Sequence, residues 1–245
     1  MATVDGATLM ARSLKAQGVD YMFGIVGFPV GGVAAAAQKE GITYIGMRNE
    51  QAASYAAQAA GYLTGRTQAC LVVSGPGVIH ALAGLANAEQ NCWPMLLVGG
   101  ASPTYQNGMG AFQEERQLER AAPYCKVSRA IEDATRIPYL VEQVIRTSLN
   151  GRPGPVYLDF PDDIIRQQVD EGDVGASNVV GGPARPQADP ASVEEALDAL
   201  ESAENPLVIV GKGMAWSRAE DEVREFIERT LLTPGQQNAR VGAAE

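Results

Sequence analysis

Three stretches of this sequence carry residue types that do chemistry, and each stands where a strand gives way to a helix or loop. The first is Met47-Arg48-Asn49-Glu50-Gln51-Ala52-Ala53. Thr43 to Met47 read as a short buried strand, β-branched or aromatic over its first three positions, and residues 51–63 read as a helix of small and apolar residues without a charge. Glu50 therefore falls at the carboxyl end of a strand, where ligands bind in open α/β sheets. The same residues also describe an ordinary helix start, with Asn49 as cap and Glu50 at the positive end of the dipole. At this level both accounts stand.

The second stretch is Ser74-Gly75-Pro76-Gly77-Val78-Ile79-His80. Glycines between a strand and a helix let backbone approach a ligand closely, and exposed amides there can donate; a tight strand-to-helix turn explains them equally. His80, one turn into the helix, is either a packed core histidine or a functional residue, since it falls near the same sheet edge as Glu50. The third stretch, Ala111-Phe112-Gln113-Glu114, lies in a polar loop and by itself reads as a charged surface segment. Other chemistries fail on spacing. A nucleophile elbow around Ser74 needs glycines where Val72 and Pro76 stand, and a P-loop ending in Lys212 needs Ser or Thr where Gly213 stands. The third glycine of GxGxxG is replaced by Gln113 in one candidate and by Trp216 in the other.

The elements that must position these residues follow from periodicity. A helix over residues 5–17 ends at Gly18, and a strand at Tyr21 to Val26 runs into the turn Gly27-Phe28-Pro29-Val30-Gly31-Gly32 and a second helix. Further strands are expected at 43–47, 68–73, 95–98, 125–130 and 154–160, with helices at 51–63, 76–88 and 134–149. Regular strand–helix alternation predicts an α/β fold with a doubly wound, mainly parallel sheet. The loop 101–119 interrupts it, and long loops at strand ends are more often functional than decorative. Residues 1–165 form the first domain in this scheme and 166–190, rich in Asp, Gly, Pro and Ala, a linker. An incomplete second α/β domain covers 191–231 (helix 191–203, strand 206–210, helix 217–230), and 232–245 reads as a disordered tail.

Composition narrows the classes of function. With 29 acidic and 19 basic residues the net charge is −10, which argues against nucleic acid. No apolar run is long enough to cross a bilayer, and the first residues, MATVDGATLM, match neither a signal peptide nor a mitochondrial presequence. Cys70, Cys92 and Cys125 lack CxxC spacing and His80 is the single histidine, so metal ligation is not expected and an intracellular, reduced setting is.

The blocks FGIVGFPV (23–30), YIGMRNEQAA (44–53), CLVVSGPGVIHAL (70–82), NCWPMLLVGG (91–100), MGAFQE (109–114) and GRPGPVYLDFP (151–161), in this order, resemble the pyrimidine-binding domain of thiamine-diphosphate-dependent enzymes. Among these the sequence is most similar to 2-hydroxyacyl-CoA lyase and oxalyl-CoA decarboxylase. The histidine of GPGxxH and the MRNEQAA form favour the lyase side over acetolactate synthase, and PLVIVGKGMAW (206–216) resembles the opening of the family's central domain.

The resemblance implies that Glu50 bonds N1′ of the cofactor's aminopyrimidine, where a carboxyl in an apolar site can hold or share a proton. It implies that Gly27, Phe28, Gly75, Pro76 and Gly77 line the cofactor, and that His80 and Gln113 face the reacting centre. The family's GDG…Asn segment for diphosphate and Mg²⁺ does not occur after residue 165, since Gly172-Asp173 is flanked by Glu171 and Val174. The expectation is a fragment that holds only the pyrimidine half of thiamine diphosphate, ligates no Mg²⁺ and is inactive by itself. It would act on an acyl-CoA in a homo-oligomer, or with a subunit carrying the diphosphate domain, without membrane or nucleic-acid partners. The alternatives are an oxalyl-CoA decarboxylase and a non-catalytic module that pairs with a full-length paralogue. The family implies a cytoplasmic or peroxisomal setting, and the chain shows no targeting signal for either.

Overall fold

The computed structural model describes residues 2–182, 186–204, 206–231 and 240–243. The chain divides into two units, Met1–Pro183 and Ala184–Glu245. In the first, elements run β1 (Thr3–Asp5), α1 (Gly6–Ala16), β2 (Tyr21–Gly24), α2 (Gly31–Lys39), β3 (Thr43–Gly46), α3 (Glu50–Thr64), β4 (Gln68–Val72), α4 (Pro76–Asn91) and β5 (Met95–Ala101). They continue with α5 (Gln117–Ala121), β6 (Ser128–Ala130), α6 (Ile137–Leu149), β7 (Pro155–Pro161), α7 (Asp162–Arg166) and β8 (Gln168–Asp170). Six strands form one sheet in the order β3-β2-β4-β5-β7-β6, every neighbouring pair parallel.

Strand residues alternate between two apolar layers, as period two requires. Ala69, Leu71, Leu96, Val98, Val156, Leu158 and Phe160 face the layer shared with α1, α2 and α6, whereas Cys70, Val72, Met95, Leu97 and Tyr157 face the layer shared with α3 and α4. Helices thus cover both faces, the doubly wound arrangement expected. From β2 the chain steps outward to β3, then returns to β4 on the other side of β2. That reversal is the topological switch point of the sheet. It opens between the loops that leave β2 and β4, which hold Gly27-Phe28 and Ser74-Gly75-Pro76-Gly77.

Several local expectations change. Residues 43–46 form the edge strand, not a buried one: Thr43, Ile45 and Gly46 are exposed because a neighbour covers only one side. β5 extends past Val98 through Ala101, since Gly99 and Gly100 pair with Asp159 and Phe160. The strand expected at 125–130 is confined to Ser128–Ala130. Much of the expected linker belongs to the first unit. β8 pairs antiparallel with β1, Val174 and Val180 pack on the core, and Gln17 brackets the backbone at Asn178 and Val180. Backbone pairing and isolated valines do this, so hydropathy registers little.

In the second unit the elements are α8 (Pro190–Ser202), β9 (Leu207–Val210), α9 (Lys212–Ser217), α10 (Glu220–Leu231) and β10 (Arg240–Ala243). The helix expected over 217–230 is split at Arg218, which adopts a φ of 50°. Residues 240–243, expected in a disordered tail, pair parallel with β9; the pairing is made by backbone, which residue types such as Arg, Gly and Ala do not advertise. The rest of that expected tail, 232–239 and 244–245, lies outside the described residues. Among the described residues no helix is long and apolar enough to cross a membrane.

Candidate functional site

At the start of α3 the two accounts of Glu50 can be separated by their bonds. Asn49 is extended (φ −151°, ψ 130°), and its side-chain oxygen accepts from the backbone N–H of Ala52 at 3.0 Å. The cap is therefore made by Asn49, and the Glu50 carboxylate is not needed for it. Its Oε2 instead meets Nδ1 of His80, on the first turns of α4, at 3.2 Å. The Glu50 side chain is 16% exposed and that of His80 62%, so the pair runs from a half-closed carboxylate to solvent. With the proton on Nδ1 the imidazole donates to the carboxylate. The Glu50 charge also joins burial in pushing up the Cys70 thiol beneath it on β4.

The glycines have a packing explanation. A Cβ at Gly27 or at Gly77 would meet the Val73 side chain at 2.7 Å, so this valine sits tightly between the two loops at the switch point. Gly75 has φ +61°, and a Cβ there would approach the carbonyl oxygen of Gln113 to 2.7 Å. Pro76 is the first residue of α4, where its missing N–H costs nothing. The Gly75 N–H is also taken, donated to Oε1 of Gln117 at 2.5 Å. The 74–77 turn is thus held in one shape by its own neighbours.

The loop after β5 folds onto this turn. The Glu114 carboxylate gathers the N–H groups of Gly108 (2.5 Å), Gly110 (2.9 Å) and Ala111 (3.0 Å), which hold its pKa down. Gln113, with φ +57°, accepts at Oε1 from the Ser74 hydroxyl at 3.2 Å. Phe112 meets Phe28 edge-on, ring centres 5.8 Å apart, an arrangement aromatic pairs favour. The structure thus joins Glu50 to His80, Gln113 to Ser74 and Gly75, and Phe28 to Phe112. Among the described residues no hydrogen bond links Gln113 to Glu50 or His80.

Three residues that sequence reasoning did not single out underlie the turn. Gln117 and Tyr157 are buried, and both contact the half-buried Asp159. The Tyr157 hydroxyl donates to Asp159 Oδ1 at 2.5 Å, as does Gln117 Nε2. One signal was available: an aspartate within the otherwise apolar strand VYLDF. Burial pushes the Asp159 pKa up from 3.8 to about 6, against the lowering effect of those two hydrogen bonds. Between about 4 and 6 the folded state holds a proton that the unfolded state lacks, so stability falls as pH rises through that window. Asp159→Asn is therefore expected to stabilise the fold at pH 7 by about 1–2 kcal/mol. Melting curves from pH 4 to 7 check this: the variant's advantage should shrink to nothing toward pH 4.

A family model described as the N-terminal TPP binding domain of thiamine pyrophosphate enzymes matches residues 4–120, and one for their central domain matches residues 193–235. The chain belongs to the thiamine pyrophosphate enzymes. Its relatives in this family include 2-hydroxyacyl-CoA lyase 1 of Mus musculus, 48% identical over 229 residues, which are 94% of this chain and 39% of the mouse protein. The Homo sapiens protein of that name is 47% identical over 229 residues, 94% of this chain and 40% of its own. Oxalyl-CoA decarboxylase of Escherichia coli K12 is 39% identical over 232 residues, 93% of this chain and 41% of its own. The chain thus spans about two fifths of the length of these curated relatives. The family's cofactor carries an aminopyrimidine, and the donor chemistry here fits one: a carboxylate released from capping duty, on a histidine, beside the switch point of a parallel sheet.

Proposed function

We propose that this chain supplies the pyrimidine-holding half of a thiamine diphosphate site that cleaves 2-hydroxyacyl-CoA to formyl-CoA and an aldehyde. The observation that carries the reading is the Glu50 carboxylate, uncommitted to the helix cap and 3.2 Å from His80. The identity to 2-hydroxyacyl-CoA lyases, above that to oxalyl-CoA decarboxylase, supports the substrate class. When bound, thiamine diphosphate supplies a carbon nucleophile and a sink for the electron pair released by C–C cleavage.

In this reading Glu50 holds a proton at N1′ of the pyrimidine and gives it up or takes it back as the ring changes its charge. His80, hydrogen-bonded to that carboxylate and open to solvent, orients it and exchanges protons with water. The turn at Gly75, Pro76 and Gly77 and the loop at Gly27 and Phe28 wall the ring, while Gln113 offers its amide toward the substrate. The diphosphate, its Mg²⁺ and the CoA are held by a further domain or subunit. Tyr55, Leu63 and Ile79, exposed on α3 and α4, support pairing through that face.

Two measurements test this. In calorimetry the 245-residue chain alone should bind the cofactor only through its pyrimidine. About ten non-hydrogen atoms at roughly 0.3 kcal/mol each give millimolar affinity or weaker, without dependence on Mg²⁺. A chimaera in which this chain replaces the matched 229 residues of the mouse lyase should release formyl-CoA when given the cofactor. A folded chimaera without cofactor-dependent turnover refutes the reading.

A further inference from the structure

The amide of Gln117 is oriented without ambiguity by its partners. A backbone N–H can only donate, so the atom facing Gly75 N at 2.5 Å is Oε1. On the other side Nε2 meets three oxygens: the Gly100 carbonyl at 3.0 Å, Tyr157 Oη at 3.2 Å and Asp159 Oδ1 at 2.5 Å. One planar group thus ties the first turn of α4 to the carboxyl ends of β5 and β7. It also closes the base of the 102–116 loop, whose far side rests on the same turn through the Gln113 carbonyl over Gly75 and through Ser74 Oγ on Gln113 Oε1.

Only an amide side chain can do this, because it joins an acceptor and a two-proton donor in one rigid plane. A leucine would strand the Gly75 N–H, the Gly100 carbonyl and the Asp159 carboxylate, and a glutamate would set a second carboxylate against Asp159. Burial raises the pKa of the anchoring carboxylate, so its charged form costs the fold, and the hydrogen bonds from Tyr157 and Gln117 offset part of that cost. The titratable groups that bear on Asp159 are Tyr157 on its own strand and Glu119 on α5, with Cys125 behind the tyrosine.

We propose that Gln117, anchored by Asp159, is a positioning residue of this site: its buried amide clamps the loop carrying Gln113 onto the Ser74–Gly77 turn and so sets where both face the reacting groups. The functional part of this assignment rests on the cofactor reading above; the clamp itself does not.

The test uses the 245-residue chain, ¹⁵N-labelled, without cofactor. Gln117→Met keeps length and burial but makes none of the bonds. The Gly75 amide should then exchange with solvent about tenfold faster or more, the worth of one lost hydrogen bond, and the Gln113 side-chain amide signals should move, while Leu97 in central β5 keeps its protection. Unchanged Gly75 exchange and Gln113 signals in the folded variant overturn the proposal. If Leu97 also loses protection, the shape-preserving Asp159→Asn decides. The Gly75 ¹⁵N shift should titrate near pH 6 in the parent chain and stay flat in Asp159→Asn; the same response in both overturns the clamp. In the chimaera, Gln117→Met should lower kcat about tenfold or more, by the same single-bond reckoning, and unchanged kcat overturns the positioning role. An unsubstituted chimaera without cofactor-dependent turnover refutes the functional reading instead, and the clamp is then judged on the two magnetic-resonance results.

Discussion

Glu50→Gln in the chimaeric enzyme is expected to slow turnover by about 10²–10⁴-fold, the usual worth of a positioned general acid or base. The amide keeps the size of the carboxyl and some of its hydrogen-bonding capacity, but it cannot take or return a proton. Folding should hardly notice. Asn49 still caps α3 through Ala52, and the favourable charge at the helix start is worth only about 0.3–1 kcal/mol. His80 loses a charged partner at a position open to solvent, where such a loss matters little to stability. The discriminating measurement is hydrogen–deuterium exchange at C2 of the bound cofactor's thiazolium. A Gln variant that exchanges as fast as the parent makes Glu50 a helix-start residue and removes the centre of the proposed site.

The second large effect is expected at a glycine that contributes no functional group. α3 and α4 lie against each other through small residues, Ala53, Ser54 and Ala57 on one side and Ala81, Gly84 and Ala88 on the other, all buried. A Cβ at Gly84 would collide with the side chain of Ser54 and come within 3.1 Å of its carbonyl carbon. The carbonyl of Gly84 also accepts from Gln58 Nε2 at 3.1 Å, fixing the helices in register. Gly84→Ala must therefore push the helices apart, at a cost of about 3 kcal/mol, the upper end for overpacking. The same displacement separates Glu50 on α3 from His80 on α4, so activity of the chimaera should fall together with melting temperature. Adding Ser54→Gly removes the side-chain collision and leaves only the 3.1 Å approach to the carbonyl carbon, so the pair should recover most of both losses. Additive losses in that double-mutant cycle would show that contact across the helices is not what Gly84 protects.

The sequence by itself determined the architecture of the first unit, because its signals are local. Apolar runs such as Tyr21–Val26 and Ala69–Val72, each followed by a helical pattern, can be satisfied only by parallel strands with helices on both faces. It also placed Glu50 at the end of a strand and the start of a helix, since Asn49 and the charge-free 51–63 segment mark that boundary residue by residue. Tertiary structure decided what lies beyond the reach of periods of two and 3.6 residues.

That 43–46 is an edge strand, open on one side, follows from strand order, which hydropathy does not encode. Residues 168–170 join the first unit by pairing with β1, and backbone pairing leaves little trace in side-chain type. Glu50 and His80 are thirty positions apart, and their meeting depends on how closely Ser54 and Gly84 let two helices approach. Gln117 was hidden for the same reason. A glutamine in a polar loop looks solvent-bound until the ends of β5 and β7 surround it with Gly100, Tyr157 and Asp159 and bury it.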